Sequence, residues 1–292
     1  MKMKTEKWYG FMFISPMVVG YCVFLLGPML MAFAMSFTDW SLIRELSFVG
    51  FDNYRKAFTA DPVFMITVKN TLLYSIGFVP PAILIPLGLA LILKENFFGV
   101  GFFRTAVFTP YVIPIVVWAI LWKYILQTDN GLINSILNTF GIQGPAWLYN
   151  LSLALPTLIV VSLLKGLGMN MIIFITALND VPKSYYEAAK IDGVSKWKNF
   201  IHVTLPLISP SIFLVFILTL IGSLKVFALV YVMTDGGPGT STYVFVYYIY
   251  QQAFKIYEFG YASAIAFILF VIILSLTLVQ WSVRKRWVHY EQ

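Results

Sequence analysis

Two lysines stand inside apolar runs, Lys165 in SLLKGLGMN and Lys225 in IGSLKVFAL. An ammonium set among hydrocarbon costs about 2.5–3.5 kcal/mol on insertion scales and is usually kept for a pair or a pathway. The long apolar runs contain no Asp or Glu, so a carboxylate partner is missing from the same setting. Water, backbone carbonyls, another chain or a bound molecule remain for Lys165. Lys225 has a further option, reaching along its own stem toward a polar surface. The chemistry open to such groups is recognition of charge and of hydroxyls. Bond breaking has less support. A shielded general base or nucleophile would have to come from His202 or His289, the only histidines, and both lie in polar segments without a cluster. No metal-ligand spacing occurs. A P-loop needs G-x-x-x-x-G-K-[ST], in which backbone amides and Lys hold phosphates, and no Gly-Lys pair exists in the chain. It cannot hydrolyse ATP by itself.

The second unusual stretch is EAAKIDGVSKWKNFIHVTLP, residues 187–206, with two acids, three lysines and a histidine between apolar runs. A solvated connector is the plain reading. Against it, SYYEAAKID is rich in helix formers and has no proline. Pro182 stands where a helix begins, and Gly193 where one ends in a left-handed cap. Ala188 and Ala189 would let another backbone approach a short surface helix closely.

The elements that position these groups follow from composition. Of 292 residues 60% are hydrophobic and 11% charged, against about 25% charged in soluble domains; mean hydropathy is +0.82. A helical bilayer span takes about 20 predominantly apolar residues. Six such runs occur, near 11–33, 70–93, 105–126, 155–177, 211–232 and 261–283. Prolines in PPAILIP and TPYVIP predict kinks, tolerated where neighbours satisfy the freed carbonyls. The basic, apolar start could open a signal peptide, but the run is long and lacks an A-x-A-like site, so it reads as a retained first span. Cys22 is the only cysteine and can form no disulfide within the chain.

With the N-terminus inside, the inner segments hold Lys2, Lys4, Lys7, Lys94, Arg104, Lys183, Lys190, Lys196, Lys198, Arg284, Lys285 and Arg286, twelve of the 20 basic residues. The outer segments hold Arg44, Arg55, Lys56, Lys69, Lys123 and Lys255. This bias predicts both termini in the cytoplasm. It also assigns the net charge of +7 to anionic lipid or a cytoplasmic partner rather than to nucleic acid. The outer stretch FTDWSLIRELSFVGFDNYRKAF, mixing aromatics and charges, reads as folded. TDGGPGTSTY reads as a turn cluster between the last two spans.

The charged segment is similar to the EAA loop of permease subunits in bacterial ABC importers. That pattern is EAA, three residues, Gly, nine residues, then I-x-L-P. Here Glu187, Ala188, Ala189, Gly193, Leu205 and Pro206 hold its positions, with Val203 in place of Ile. VGFDNYRKAF, NTLLYS, FFRTAVFTPYVIP, GLINSIL, TDGGPGTSTYVFVYYIYQQAF and FGYASAIAF resemble the carbohydrate branch, the maltose and glycerol-3-phosphate permease type, nearly end to end.

The resemblance implies an all-α, polytopic membrane protein with six transmembrane helices in the type I ABC importer permease fold. Residues 1–66 would hold the tail, first span and first outer loop. Residues 67–283 would form the five-helix permease core, with the coupling loop at 178–210, and 284–292 a cytoplasmic tail. Glu187, Ala188, Ala189, Asp192, Gly193, Leu205 and Pro206 would couple to an ATPase, with His202 as a further partner contact. Family sugar contacts fall at Ser162, Lys165, Gly166 and Met169, and at Thr219, Gly222, Ser223 and Val226; each set follows one helix face. Lys225 stands beside the second. Glycines there could instead mark tight helix packing.

The implied partners are a second, different permease, two cytoplasmic ATPases, an extracellular or periplasmic substrate-binding protein and membrane lipid. No cofactor is expected in this chain; ATP and Mg belong to the ATPase. The location is a bacterial plasma membrane. The substrate class is a sugar or oligosaccharide. A pathway lysine suggests an acidic one, such as a uronate-containing oligosaccharide; a neutral oligosaccharide and a sugar phosphate such as glycerol 3-phosphate are alternatives. An ion-coupled secondary transporter is the rival of another class, disfavoured because the spans lack acids.

Overall fold

A chain crossing lipid must satisfy its backbone hydrogen bonds within itself, and helices do so segment by segment. The computed structural model follows this rule. It describes residues 2–42 and 46–287. Arg44 and His289 lie outside these residues, as do the side chains of Lys2, Lys4, Lys7, Lys285 and Arg286. Among the described residues the structure is helical, with two isolated antiparallel bridges, Thr38 to Phe48 and Ser41 to Glu258, and no strand. Among the same residues four helices are long and apolar enough to cross a membrane, or up to six spans if each of two bent helix pairs is one.

The chain divides into two compact units. The first comprises residues 1–62 and 248–271. Helix α1 (Lys2–Tyr21) passes through a π-helical turn (Cys22–Leu26) into α2 (Gly27–Met35). Pro28 has no N–H to give the turn before it, and there the ladder shifts to Gly27 N–H donating to Cys22 O. The most apolar 18 residues of this rod bury no side chain. Beyond it the described residues of the stretch of aromatics and charges, 37–42 and 46–58, are folded, as expected. Asn53, on α3 (Asp52–Thr59), donates to the carbonyls of Ser36 and Thr38, both at 2.9 Å. Lys56 pairs with Glu258 at 2.6 Å and lies over the Tyr261 ring. Asp61 accepts from the hydroxyls of Tyr248 and Tyr261. Burial, and then the bond to Asp61, push the Tyr248 hydroxyl well above its ordinary pKa.

The second unit comprises residues 63–247 and 272–292. Its helices are α4 (Pro62–Leu93), α5 (Val100–Val112), α6 (Ile115–Ile125), α7 (Leu132–Thr139), α8 (Ala154–Asp180), α9 (Lys183–Ile191), α10 (Lys196–Asn199), α11 (Leu205–Leu207), α12 (Ser209–Leu224) and α13 (Ala228–Met233). α14 (Phe245–Tyr250) and α15 (Phe259–Trp287) follow. Two apolar clusters hold the unit together. One gathers Tyr74, Trp118, Leu158, Val161, Val230 and Tyr247. The other gathers Leu87, Ala90, Met171, Phe174, Ile208 and Val215. Between lipid-embedded helices such clusters act through close packing, because lipid tails are as apolar as the side chains.

Two expected spans are not single helices. The run 105–126 is broken into α5 and α6, bent by 102°. Ile113 before Pro114 is extended (φ −63, ψ 131), as the proline ring demands of the residue ahead of it. The run 211–232 stops at Leu224, with Lys225 as C-cap, and resumes as α13 after Phe227. At its other end α12 meets the preceding helical stretch, Lys196–Leu207, at 67°. The TDGGPGTSTY loop is tied down: Asn70 donates to Thr240 O at 2.9 Å, and Phe245 N–H donates to Thr71 Oγ1 at 3.1 Å.

Candidate functional site

The EAA segment forms the surface helix its sequence predicted. Pro182 is the N-cap of α9. At the other end Gly193 has φ +68, the left-handed region that glycine enters without a Cβ penalty. Gly193 N–H donates to Lys190 O and Val194 N–H to Ala189 O, at 3.2 and 3.0 Å. These are the two reversed bonds of a Schellman cap. Ala189 is buried under the helix, whereas Glu187, Ala188 and Asp192 are exposed and Ile191 is 86% exposed.

Behind α9 the chain turns through α10, where Ser195 Oγ accepts from Lys198 N–H. A π-helical turn (Phe200–Thr204) follows, and it too runs into a proline, Pro206. A hollow of about 440 Å³ opens here, lined by Ala188, Ala189, Asp192, Lys198, His202 and Val203 among others. Leu205 and Pro206 are half-buried, and Leu205 packs on the second apolar cluster. His202 Nδ1 lies 2.9 Å from Lys198 O, within its own turn. Tyr186 ties the segment to the bundle: its ring lies under Lys94, and Thr204 Oγ1 donates to its hydroxyl at 3.3 Å.

The second group of expected residues lies on α8 and α12, which pack against each other. Met169 on α8 and Gly222 on α12 are exposed, and Gly166 on α8 is half-buried. A Cβ on either glycine would meet nothing within 4 Å, so neither marks tight packing within this chain. Lys225 is exposed and Val226 half-buried. The hydroxyls turn the other way. Ser162 accepts from Tyr74 at 2.6 Å and donates to Leu158 O, and Ser223 Oγ, with one proton to give, lies 2.9 Å from Ser75 Oγ and 2.8 Å from Leu220 O. Both are buried, as is Thr219. Lys165 is half-buried, and its Nζ lies 3.1, 3.2 and 2.5 Å from the carbonyl oxygens of Pro110, Tyr111 and Ile113.

Sequence reasoning missed the residues that receive these hydroxyls. Thr67, Asn70, Thr71, Tyr74 and Ser75 form a buried polar row along α4. Its signal was present as polar residues three and four apart in an apolar run. Gly168 was also missed; a Cβ there would stand 2.5 Å from Phe108 Cα.

Three comparisons bear on this arrangement. Residues 82–288 match the model of the family described as binding-protein-dependent transport system inner membrane component. The chain is 35% identical, over 97% of its length and 92% of the relative's, to the probable ABC transporter permease protein YesP of Bacillus subtilis (strain 168). It is 33% identical, over 94% and 88%, to the arabinooligosaccharides transport system permease protein AraP of the same organism. In fold it is similar, with a TM-score of 0.87, 25% identity and 98% of both chains covered, to a chain of a bacterial ABC transporter involved in the import of the acidic polysaccharide alginate. The relatives are named as permease subunits of transporters, not as enzymes. This multi-pass membrane protein therefore belongs to the binding-protein-dependent transport system inner membrane component family, as a permease of the carbohydrate ABC importers.

Proposed function

We propose that the chain forms half of the translocation pathway of an oligosaccharide importer, with ATP hydrolysis supplied by a partner. The observation that carries this reading is the capped, exposed helix α9 with the hollow behind it. In the proposed cycle a cytoplasmic ATPase seats α9, with Glu187, Ala188, Asp192 and Gly193 at the joint. Closing of the ATPase pair on ATP and Mg then moves the seat. Tyr186, Leu205 and Pro206 pass the displacement to the bundle, whose spans rock between inward-open and outward-open forms. Such rigid-body transmission needs a stiff joint, which a doubly bonded helix end provides. In this arrangement both termini are cytoplasmic. A second, different permease completes the pathway, and an external binding protein delivers the substrate.

Gly166, Met169, Gly222, Val226 and Lys225 form the face offered to the pathway, while Ser162, Thr219 and Ser223 support it from behind. An acidic oligosaccharide is a second reading. The similarity to the alginate transporter chain favours it, as does the exposed ammonium of Lys225. AraP, named for arabinooligosaccharides, which carry no acid groups, favours the broader class.

The test is ATP-driven uptake in proteoliposomes holding the full complex and its binding protein, with neutral and uronate-containing oligosaccharides of similar size. A Cβ at Gly193 would meet no atom within 4 Å, so in Gly193→Asp the helix is expected to persist at a cost of about 1–2 kcal/mol for the left-handed backbone. Uptake is expected to collapse while the complex remains assembled; full uptake by an inserted Gly193→Asp protein would sink the lever.

A further inference from the structure

Lys165 was expected in the pathway, yet its ammonium is engaged elsewhere. Its three partners are the carbonyls of Pro110, Tyr111 and Ile113. The first two lie in the last turn of α5, where helix carbonyls lack intrahelical donors; the third stands just beyond it. Pro114 is the cause. It has no N–H to give Pro110 O, and it forces Ile113 out of the helix. The bend of 102° leaves these oxygens open in the middle of an apolar run. An ammonium carries three donors and a full positive charge, which suits the negative end of a helix.

The same six residues of α8, KGLGMN, hold two further contacts. Gly168 lets the α5 backbone come against α8 at Phe108. Asn170 Nδ2 donates to Ala82 O at 2.8 Å, the carbonyl that Pro86 would have served with an N–H in an unbroken ladder. On the far side of the break, Trp118 of α6 returns a bond to α8, its Nε1 donating to Val161 O at 3.1 Å.

We propose that Lys165 is a positioning residue, the pin of a clasp on α8 that fixes the broken span α5–α6 beside the pathway. The proposal rests on the permease reading and deepens it. In this role Lys165 sets the direction of the broken span for any cargo; it does not select the cargo by charge.

The experiment uses the full complex in proteoliposomes. Uptake of a neutral and of a uronate-containing oligosaccharide is measured for wild type, Lys165→Met and Lys165→Arg, each also in a Pro114→Ala background. In parallel, spin labels at Phe103 and Tyr124, both exposed, report the distance across the bend in a Cys22→Ser chain, which leaves no other cysteine. For Lys165→Met, uptake of both sugars is expected to fall by the same factor, roughly tenfold for loss of a charged hydrogen-bonding group, and the distance distribution to broaden. Lys165→Arg should restore most of both readouts, and the loss should shrink when residue 114 regains its N–H. Selective loss of uronate uptake with an unchanged distance would overturn the clasp and return Lys165 to the pathway as a counter-charge. The distance readout needs no transport. A wild-type complex that carries neither sugar would therefore sink the permease reading without deciding the clasp, which the labels judge alone.

Discussion

Helix α4 contains Pro80, Pro81 and Pro86 and runs unbroken for 32 residues, whereas the span around Pro114 folds back by 102°. The number of prolines does not separate the two. What differs is the conformation ahead of the ring and the donor supplied from outside. At Pro86 the helix continues and a neutral amide, Asn170, serves the freed carbonyl. At Pro114 the preceding residue is extended, a whole helix end opens, and a cation serves it. Both donors come from one stretch of α8. In an apolar bundle, then, the course of a proline-containing span is decided by its neighbour as much as by its own sequence.

The comparison breaks most directly at Gly168. Its missing side chain lets α5 approach, and Val107 O as well as Phe108 Cα would lie 2.5 Å from a Cβ. Both are backbone atoms that cannot rotate aside. Gly168→Val should cost about 1–3 kcal/mol or more, lowering the melting temperature of the purified complex and its uptake of every sugar. Gly166→Ala, two residues away and facing open space, should leave the melting temperature unchanged. Equal behaviour of the two variants would show that α5 is not held by close approach to α8.

The intermediate effect belongs to Asn170. Asn170→Leu leaves Ala82 O unserved beside Pro86 and should cost about 1 kcal/mol, the scale of one interhelical hydrogen bond. Adding Pro86→Ala restores an N–H to that carbonyl. The double variant should therefore be less impaired than the sum of the two single changes; strict additivity in thermal melting would deny Asn170 its role.

These contacts also mark what the sequence could and could not reveal. The spans announced themselves by length and apolarity, and α9 by Pro182, Gly193 and the EAA spacing, because those signals are local. The kink at Pro114 was legible only in part, since the same proline signal in PPAILIP lies within the unbroken α4. Its consequence for Lys165 was less so: the lysine stands 52 residues from Ile113 and Asn170 stands 88 from Ala82, and nothing in chain order pairs them. Helical periodicity placed Ser162 and Ser223 on faces shared with Gly166 and Gly222. The structure turns their hydroxyls toward Tyr74 and Ser75 because a hydroxyl in an apolar bundle seeks the nearest polar row, and that row is on α4.

The smallest effect sharpens the comparison at the other end of α4. There too a cation from another helix closes a C-terminus: Arg104, on α5, donates through Nε and Nη2 to Leu93 O at 2.9 and 2.6 Å, and through Nη2 to Lys94 O at 3.3 Å. The geometry resembles that of Lys165, but the surroundings differ. Glu95, Asn96 and the residues after them are exposed, so water can reach the carbonyls once the guanidinium is removed. Arg104→Leu should cost about 0.3–1 kcal/mol, the range for a cation at a helix end near solvent, and the difference from wild type should shrink as salt screens the charge. Lys165→Met, at a break in the middle of an apolar run rather than beside a polar segment, should cost more and depend little on salt. If thermal melting shows the same loss and salt dependence for both, then water reaches the break at Pro114 as freely as the surface. The special standing of Lys165 would go with it.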